Sequence, residues 1–525
     1  MTKSKGYKKR AVVFDTTCRD GSQGVDISPT VDDKLKITST LVNLGVRYIE
    51  GGWPQPNGQN TEYFKRVTGV DTKGAKIVAF GSTRRKDTLP EEDAFLRALI
   101  EADTEVVCIF GKTWDLHVFE QLETTPGENL KMISDSVSYL KTHGKEVVYD
   151  AEHFFDGYRD NKKYAIRTLK AAQRAGADWI VLCDTNGGMV PHNIEKAVKR
   201  VRQIIQVPLG IHAHNDSDCA VANTLIAVQS GCTMVQGTIN GYGERCGNAN
   251  LVSVIPDLQK MGFKILKPEQ LALLTEASRL VSEVLNVSHY DKQPFVGRYA
   301  FAHKGGVHLD AVLKGAPYEH IVPESVGNKR ELVISKESGS KGVFAKAKEL
   351  GIDLNGDRKK AQAVLAAMAE QEKRGYSYED ADGSFWLLVS KVMGTHRPSF
   401  ATVMKEVRVL QYEDSPPIAD AIVKIKIGRK RISEAAEGDG PVNALDLALR
   451  RAANGHLQGI EDIRLTDYKV RVLQSTEGTA APVRVWIEST NGRETWGTIG
   501  VHENMVEASW EALVESIEYG LSKNQ

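Results

Sequence analysis

Eight short runs rich in β-branched and aromatic residues recur through the first half of the chain, and the windows between them read as helices. This alternation constrains the fold more than any other feature. The runs are Ala11–Asp15, Arg47–Gly51, Lys76–Phe80, Val106–Phe110, Glu146–Ala151, Trp179–Asp184, Leu209–His214 and Met234–Asn240. Helical windows such as Val31–Leu44, Glu91–Glu101, Glu128–Thr142, Lys162–Ala175, Asn193–Ile205 and Asp218–Gln229 carry apolar residues at i, i+3, i+4 spacing. Strands roughly thirty residues apart suit right-handed βαβ units, and eight such units in about 250 residues are the arithmetic of an α/β chain closed into a (β/α)8 TIM barrel. A doubly wound open sheet would need fewer strands and a Gly-rich phosphate turn after the first, which is missing here.

A chain of 525 residues exceeds one hydrophobic core, so further domains are expected. The predicted division is a barrel over 1–270, a helical linker region over 271–398 and a C-terminal α+β domain over 399–525. The last carries strand-like Val403–Leu410, Ala419–Ile427, Lys469–Leu473, Val483–Glu488 and Thr495–Val501. Two helical windows repeat V-x-A-x-x-x-A-L at an offset of 64, with Val442, Ala444, Ala448 and Leu449 answered by Val506, Ala508, Ala512 and Leu513. A duplicated βββα unit follows.

Lys plus Arg, 68, balance Asp plus Glu, 68, so no overall field draws the chain to nucleic acid or an anionic membrane. No apolar run approaches the ~18–20 residues of a membrane span. Basic Lys3–Arg10 is followed by only four apolar residues before Asp15, too few for a signal peptide. The six cysteines include no C-x-x-C pair, which fits reduced thiols and a cytoplasmic setting. Walker, dinucleotide and G-x-S-x-G patterns are absent.

Catalytic groups of such barrels sit at strand C-termini. Reading that rim gives Asp15, Arg19 and Asp20, then Glu50, Glu152, Asp184, Thr185, His212 and His214. Residues two apart on a strand share a face, so both histidines project into the barrel mouth and can meet one cation; a hydrogen-bonded core pair is the alternative. Asp20 can add a carboxylate and Asn248 an amide oxygen, a set suited to Mn²⁺, Mg²⁺ or Zn²⁺. Arg19 can stabilise a developing oxyanion or pair with Glu50 or Asp15. Glu152 reads as an acid or acceptor for substrate or as a structural ion pair. Thr185 reads as a donor to a substrate carboxylate or as ordinary turn chemistry.

The motifs Asp15-Thr16-Thr17-Cys18-Arg19-Asp20-Gly21-Ser22-Gln23, His212-Ala213-His214-Asn215-Asp216 and Gly243-Glu244-Arg245-Cys246-Gly247-Asn248 resemble the signatures of the acyl-CoA-condensing isopropylmalate, homocitrate and citramalate synthases. Ile49–Pro54, Phe110–Asp115 and Asp150–Gly157 look most like the citramalate synthase subgroup. The resemblance implies Asp20, His212, His214 and Asn248 at the metal, and Arg19, Gln23, Glu50 and Thr185 around substrate. It implies Arg19, Glu152 and His308 in catalysis, with Asp310 and Tyr318 near His308, so that the linker contributes to the active site. It further implies pyruvate and acetyl-CoA as co-substrates, (R)-citramalate and coenzyme A as products, and a regulatory C-terminal domain that binds isoleucine in a homodimer. Cys18 departs from the leucine usual at its place, which bears on local packing. The rival readings are a sibling synthase on 2-oxoisovalerate or 2-oxoglutarate, a metal-dependent lyase or aldolase, and an inactive amino-acid sensor.

Overall fold

The eight runs close into one parallel barrel, seen in a computed structural model that describes residues 9–55, 58–304, 318–335, 338–411, 417–473, 478 and 480–523. The strands are β1 (Val12–Asp15), β2 (Tyr48–Gly52), β3 (Lys76–Ser82), β4 (Val106–Lys112), β5 (Glu146–Glu152), β6 (Trp179–Asp184), β7 (Leu209–Ala213) and β8 (Met234–Gly237). Each pairs with its sequence neighbour, and β8 returns to β1 with Val12 opposite Met234. Predicted Met234–Asn240 ends early, because Asn240 takes φ 62° inside a 3-10 turn at Ile239–Gly241.

Alternation along the strands sorts the core into two layers. Phe14, Val78, Val106, Cys108, Val148, Val181 and Met234 fill the interior. Val13, Ile49, Ala79, Val107, Val147, Ile180, Ile211 and Val235 face the surrounding helices. Helix α1 (Val31–Leu44) starts on a capping box between Thr30 and Asp33 and ends on Gly45, in the left-handed region at φ 89°. Four barrel helices outside the predicted windows appear: Gln59–Val67 after β2, Asp115–Glu120 after β4, Phe154–Asp160 after β5 and Leu251–Lys260 after β8.

The chain divides into two compact units, Met1–Phe301 with Ile321–Lys329, and Ala302–His320 with Arg330–Gln525. Residues 271–398 are thus shared between the units. Within the second unit, Val343, Ala347, Val364, Met368, Phe385 and Val389 make a helical core. Two three-stranded antiparallel sheets follow: β9 (Ala401–Leu410), β10 (Ile418–Ile427) and β11 (Lys430–Gly438), then β12 (Arg464–Val472), β13 (Val483–Thr490) and β14 (Thr495–His502). Helices Pro441–Ala453 and Met505–Ser522 close the two repeats, and Ala444, Ala448, Leu449, Ala508, Ala512 and Leu513 are buried. Strand β11 had no counterpart in the predicted strands, because most of its side chains are exposed and its sequence lacks an apolar alternation.

Candidate active site and metal centre

The loop after β1 is built to present Asp20. Thr16 donates both its N–H and its hydroxyl to the Gly237 carbonyl at the end of β8, at 2.8 and 3.2 Å, and Asp20 N–H donates to Thr16 O at 2.8 Å. Asp15 accepts from Thr17 N–H and Oγ1, each at 2.8 Å, and Thr17 Oγ1 in turn accepts from Ile239 N–H. The first and last strands are therefore tied together at the rim.

Asp20, His212 and His214 bring their ligand atoms within 4.8 Å of one another, and all three are buried. Asp20 Oδ2 lies 3.3 Å from His212 Nε2 and 3.8 Å from His214 Nε2. Asn248 is brought alongside by an antiparallel bridge to His214. Its Nδ2 donates to Tyr242 O at 3.3 Å, while its Oδ1 is buried and unpartnered, as is Asp20 Oδ2. Gly243 permits this approach, since a Cβ there would stand 2.1 Å from Asn248 Nδ2.

Those orphaned oxygens beside two imidazoles fit a divalent ion. Electrostatics agree. Burial alone would raise the Asp20 pKa, but Arg19 and His212 outweigh it and hold the carboxylate well below its ordinary value. Burial likewise disfavours the His212 imidazolium, and Asp20 overrides it, so the pair calls for positive charge between them. Burial, then His212, pushes His214 down to about 3, leaving it neutral as a ligand must be.

Arg19 is fixed from three sides. Its Nε donates to Glu50 Oε2 at 2.6 Å, its Nη1 lies 3.3 Å from Asp20 Oδ1, and its guanidinium carbon sits 3.9 Å from the Phe80 ring centre. Glu50, expected among substrate contacts, is fully buried and does not line the cavity. Its carboxylate orients Arg19 instead, and burial raises its pKa to about 7.

The cavity above these groups has a volume of about 470 Å³, and Arg19, Asp20, Gln23, Glu152, Thr185, His212 and His214 all line it. Glu152, closing β5, pairs with Lys112 Nζ at 2.6 Å. Thr185 Oγ1 accepts from His153 N–H at 2.9 Å, so its hydroxyl proton is available to the cavity. Arg245 locks the rim by two bonds to Asp216, at 2.7 and 2.9 Å, and one to Thr185 O at 2.8 Å. Asp184 accepts from Met189 N–H and holds its own loop. His308 and Asp310 lie outside the described residues, and Tyr318 is an exposed residue of the second unit.

Sequence reasoning missed Lys34, Trp53, Phe80, Phe110 and Asp150 on the wall. Asp150 carried a readable signal: it lies two before Glu152 on the same strand and so shares its face. Lys34 carried none. It comes from α1, where its ammonium donates to Gly51 O at 3.1 Å and to Asn60 Oδ1 at 2.7 Å.

Comparison with known proteins agrees with this geometry. Residues 10–281 match the HMGL-like family, 295–373 the homocitrate synthase post-HMGL domain-like family, and 379–521 the LeuA allosteric (dimerisation) domain. An (R)-citramalate synthase of Geobacter sulfurreducens is 49% identical over 516 residues, covering 98% of both chains. One from Synechocystis sp. is 49% identical over 523 residues, covering 97% of this chain and 96% of that one. A 2-isopropylmalate synthase of Methanocaldococcus jannaschii is 33% identical over 522 residues, covering 98% of this chain and 96% of its own. The chain belongs to the citramalate synthase family.

Proposed function

We propose that the chain condenses acetyl-CoA with pyruvate and hydrolyses the thioester, giving (R)-citramalate and coenzyme A. The observation that carries this reading is the buried triad of Asp20, His212 and His214 beside Arg19 in a single cavity, in a chain 49% identical to (R)-citramalate synthases along nearly its whole length. A divalent ion held by the triad and Asn248, whether Mn²⁺, Mg²⁺ or Zn²⁺, would polarise the keto group as a Lewis acid.

The protein's own groups do the rest. Thr185 donates its hydroxyl proton to the keto-acid carboxylate, and Gln23, at the exposed edge of the cavity, adds a further polar contact. A base takes a proton from the acetyl methyl group, and the enolate carbon forms the new bond to the keto carbon. Negative charge then builds on the former keto oxygen, where Arg19, held by Glu50 and Phe80, meets it with no reorganisation, and the proton taken from the methyl group ends on that oxygen as the hydroxyl of the product. Glu152, steadied by Lys112, accepts a hydrogen bond from the reacting substrate at the opposite wall. Water cleaves the thioester, and the thiol leaves with a proton.

Trp53, Phe80 and Phe110 pack ring against ring at 5.6–5.8 Å on the cavity wall, and this apolar surface is the proposed seat of the keto acid's methyl group, the reading under which pyruvate is preferred to its branched or longer siblings. Coenzyme A release measured with pyruvate, 2-oxoisovalerate and 2-oxoglutarate tests this directly. Pyruvate should lead in kcat/KM, and a preference for either of the others would transfer the chain to a sibling reaction.

The C-terminal domain fits a dimerising, effector-binding role of the kind the matched LeuA domain is named for. Val403, Val409, Leu465, Val470 and Val472 stand exposed on β9 and β12, apolar faces suited to a second copy of the chain. Isoleucine is the proposed effector, and the reaction would supply isoleucine synthesis in the cytoplasm. Inhibition of coenzyme A release by isoleucine but not by leucine or valine checks it.

A further inference from the structure

The turn after β8 holds Asn240 and Gly241 in the left-handed region, at φ 62° and 72°. A residue with a side chain takes that conformation at a cost, and Asn240 meets it with bonds made outside the turn. Its partners belong to helix Leu274–Val284, which follows the last barrel helix. Asn240 Nδ2 donates to Ser278 O at 2.8 Å and to Ser282 Oγ at 3.0 Å, and its Oδ1 accepts from Ser278 Oγ at 2.5 Å. Both serines are buried. Ser278 gives its one hydroxyl proton to Asn240, so it accepts from His289 Nε2 at 2.9 Å. Ser282 gives its own to Ser278 O at 3.1 Å, so it accepts from the Tyr242 hydroxyl at 2.9 Å.

This cluster reaches the candidate metal centre through Asn248. Tyr242, its ring end fixed on Ser282, offers its carbonyl to Thr238 Oγ1 at 2.6 Å and to Asn248 Nδ2 at 3.3 Å. Asn248 N–H donates to Gly241 O at 3.0 Å. One carbonyl of the turn thus fixes the Asn248 backbone and the next engages its amide nitrogen. The amide oxygen is left buried and unpartnered, on a residue bridged to His214. Asn240, Tyr242, Ser278 and Ser282 do not line the catalytic cavity, so any effect they have on the site passes through Asn248.

We propose that Asn240 is a positioning residue for the metal centre: clamped by Ser278 and Ser282 of a helix outside the barrel, it sets the turn that aims the Asn248 amide oxygen at the divalent ion. The inference rests on the reading that Asn248 joins Asp20, His212 and His214 at that ion. A ligand already aimed loses less freedom on binding, and partners behind a ligand typically carry roughly ten- to hundredfold in metal affinity.

The test is calorimetric titration of Mn²⁺ into the full chain after exhaustive chelation, for Asn240→Gly and Ser282→Ala, each alone and combined with Asn248→Ala. Glycine adopts the left-handed backbone freely and removes only the amide. Ser282→Ala is the milder change and decides the matter alone if Asn240→Gly does not fold. The Mn²⁺ Kd should rise about tenfold in Asn240→Gly and about threefold in Ser282→Ala. In the Asn248→Ala chain, itself weakened, neither substitution should weaken binding further, because both act through that amide. Val137→Ala, buried in helix Pro126–Thr142, is the reference: it should lower Tm and leave Kd at the parent's value. A parental Kd in Ser282→Ala and in folded Asn240→Gly, or an equal loss with and without Asn248, would overturn the proposal while the metal centre stands. Asn248→Ala binding Mn²⁺ as tightly as the parent, or a parent that binds none, would remove the reading on which it rests.

Discussion

At Arg19 the proposed chemistry and the electrostatic risk of the site meet in a single side chain. Under the proposed mechanism, removing it takes away the oxyanion donor, at a cost of about 3–4 kcal/mol in the barrier. It also leaves Glu50 and Asp20 buried without their counter-charge. Arg19→Ala should therefore lower kcat by roughly a hundredfold or more, and a rate within about tenfold of the parent would refute the role. Asp15, by contrast, carries a pH signature without touching substrate. Burial pushes its pKa from 3.8 up to about 7. Between those values the folded chain binds the proton more tightly than the unfolded one, so stability falls as pH rises through the window and the loss is complete above 7. Asp15→Asn removes that term. Its Tm relative to the parent should climb between acid and neutral pH, and a difference that does not change with pH would contradict this. The convergence of His212 and His214 was legible in the sequence because residues two apart on a strand share a face. Glu50 was not, since a lone acid at a rim gives no sign of whether it meets substrate or sits behind the arginine that does.

The elements that carry these residues depend on close backbone contacts at the barrel rim. Gly237 ends β8 and accepts from both polar groups of Thr16, and a Cβ there would fall 2.4 Å from Ala249 O. Gly237→Ala should cost about 1–3 kcal/mol through overpacking. It should also weaken metal affinity more than a core substitution of equal stability cost, which calorimetric titration of Mn²⁺ against Tm will show. Strand order and most helix boundaries followed from periodicity, with α1 found over the predicted Val31–Leu44. Two of the failures share a cause. β11 is solvent-facing and charged, so burial left no mark on its composition, and helix Gln59–Val67 is short and rich in polar residues.

The molecule as a whole joins a closed barrel bearing one metal-type cluster among the described residues to a duplicated sheet-and-helix domain with exposed apolar strands. Lysine substitutions at Val409 and Val470 should convert a dimer to monomers in sedimentation, and an unaltered mass would show that these faces are not the interface. That the middle segment 271–398 divides between two units was beyond sequence reading, because helical periodicity reports which face is buried but not which neighbour buries it. The most direct measurement is coenzyme A release from acetyl-CoA with pyruvate after exhaustive chelation, followed by return of Mn²⁺, Mg²⁺ or Zn²⁺, in the parent and in His212→Ala. Turnover should vanish on chelation and return with at least one ion in the parent, and should not return in the variant. Full turnover in the chelated protein, or in His212→Ala, would contradict a condensation built around Asp20, His212 and His214.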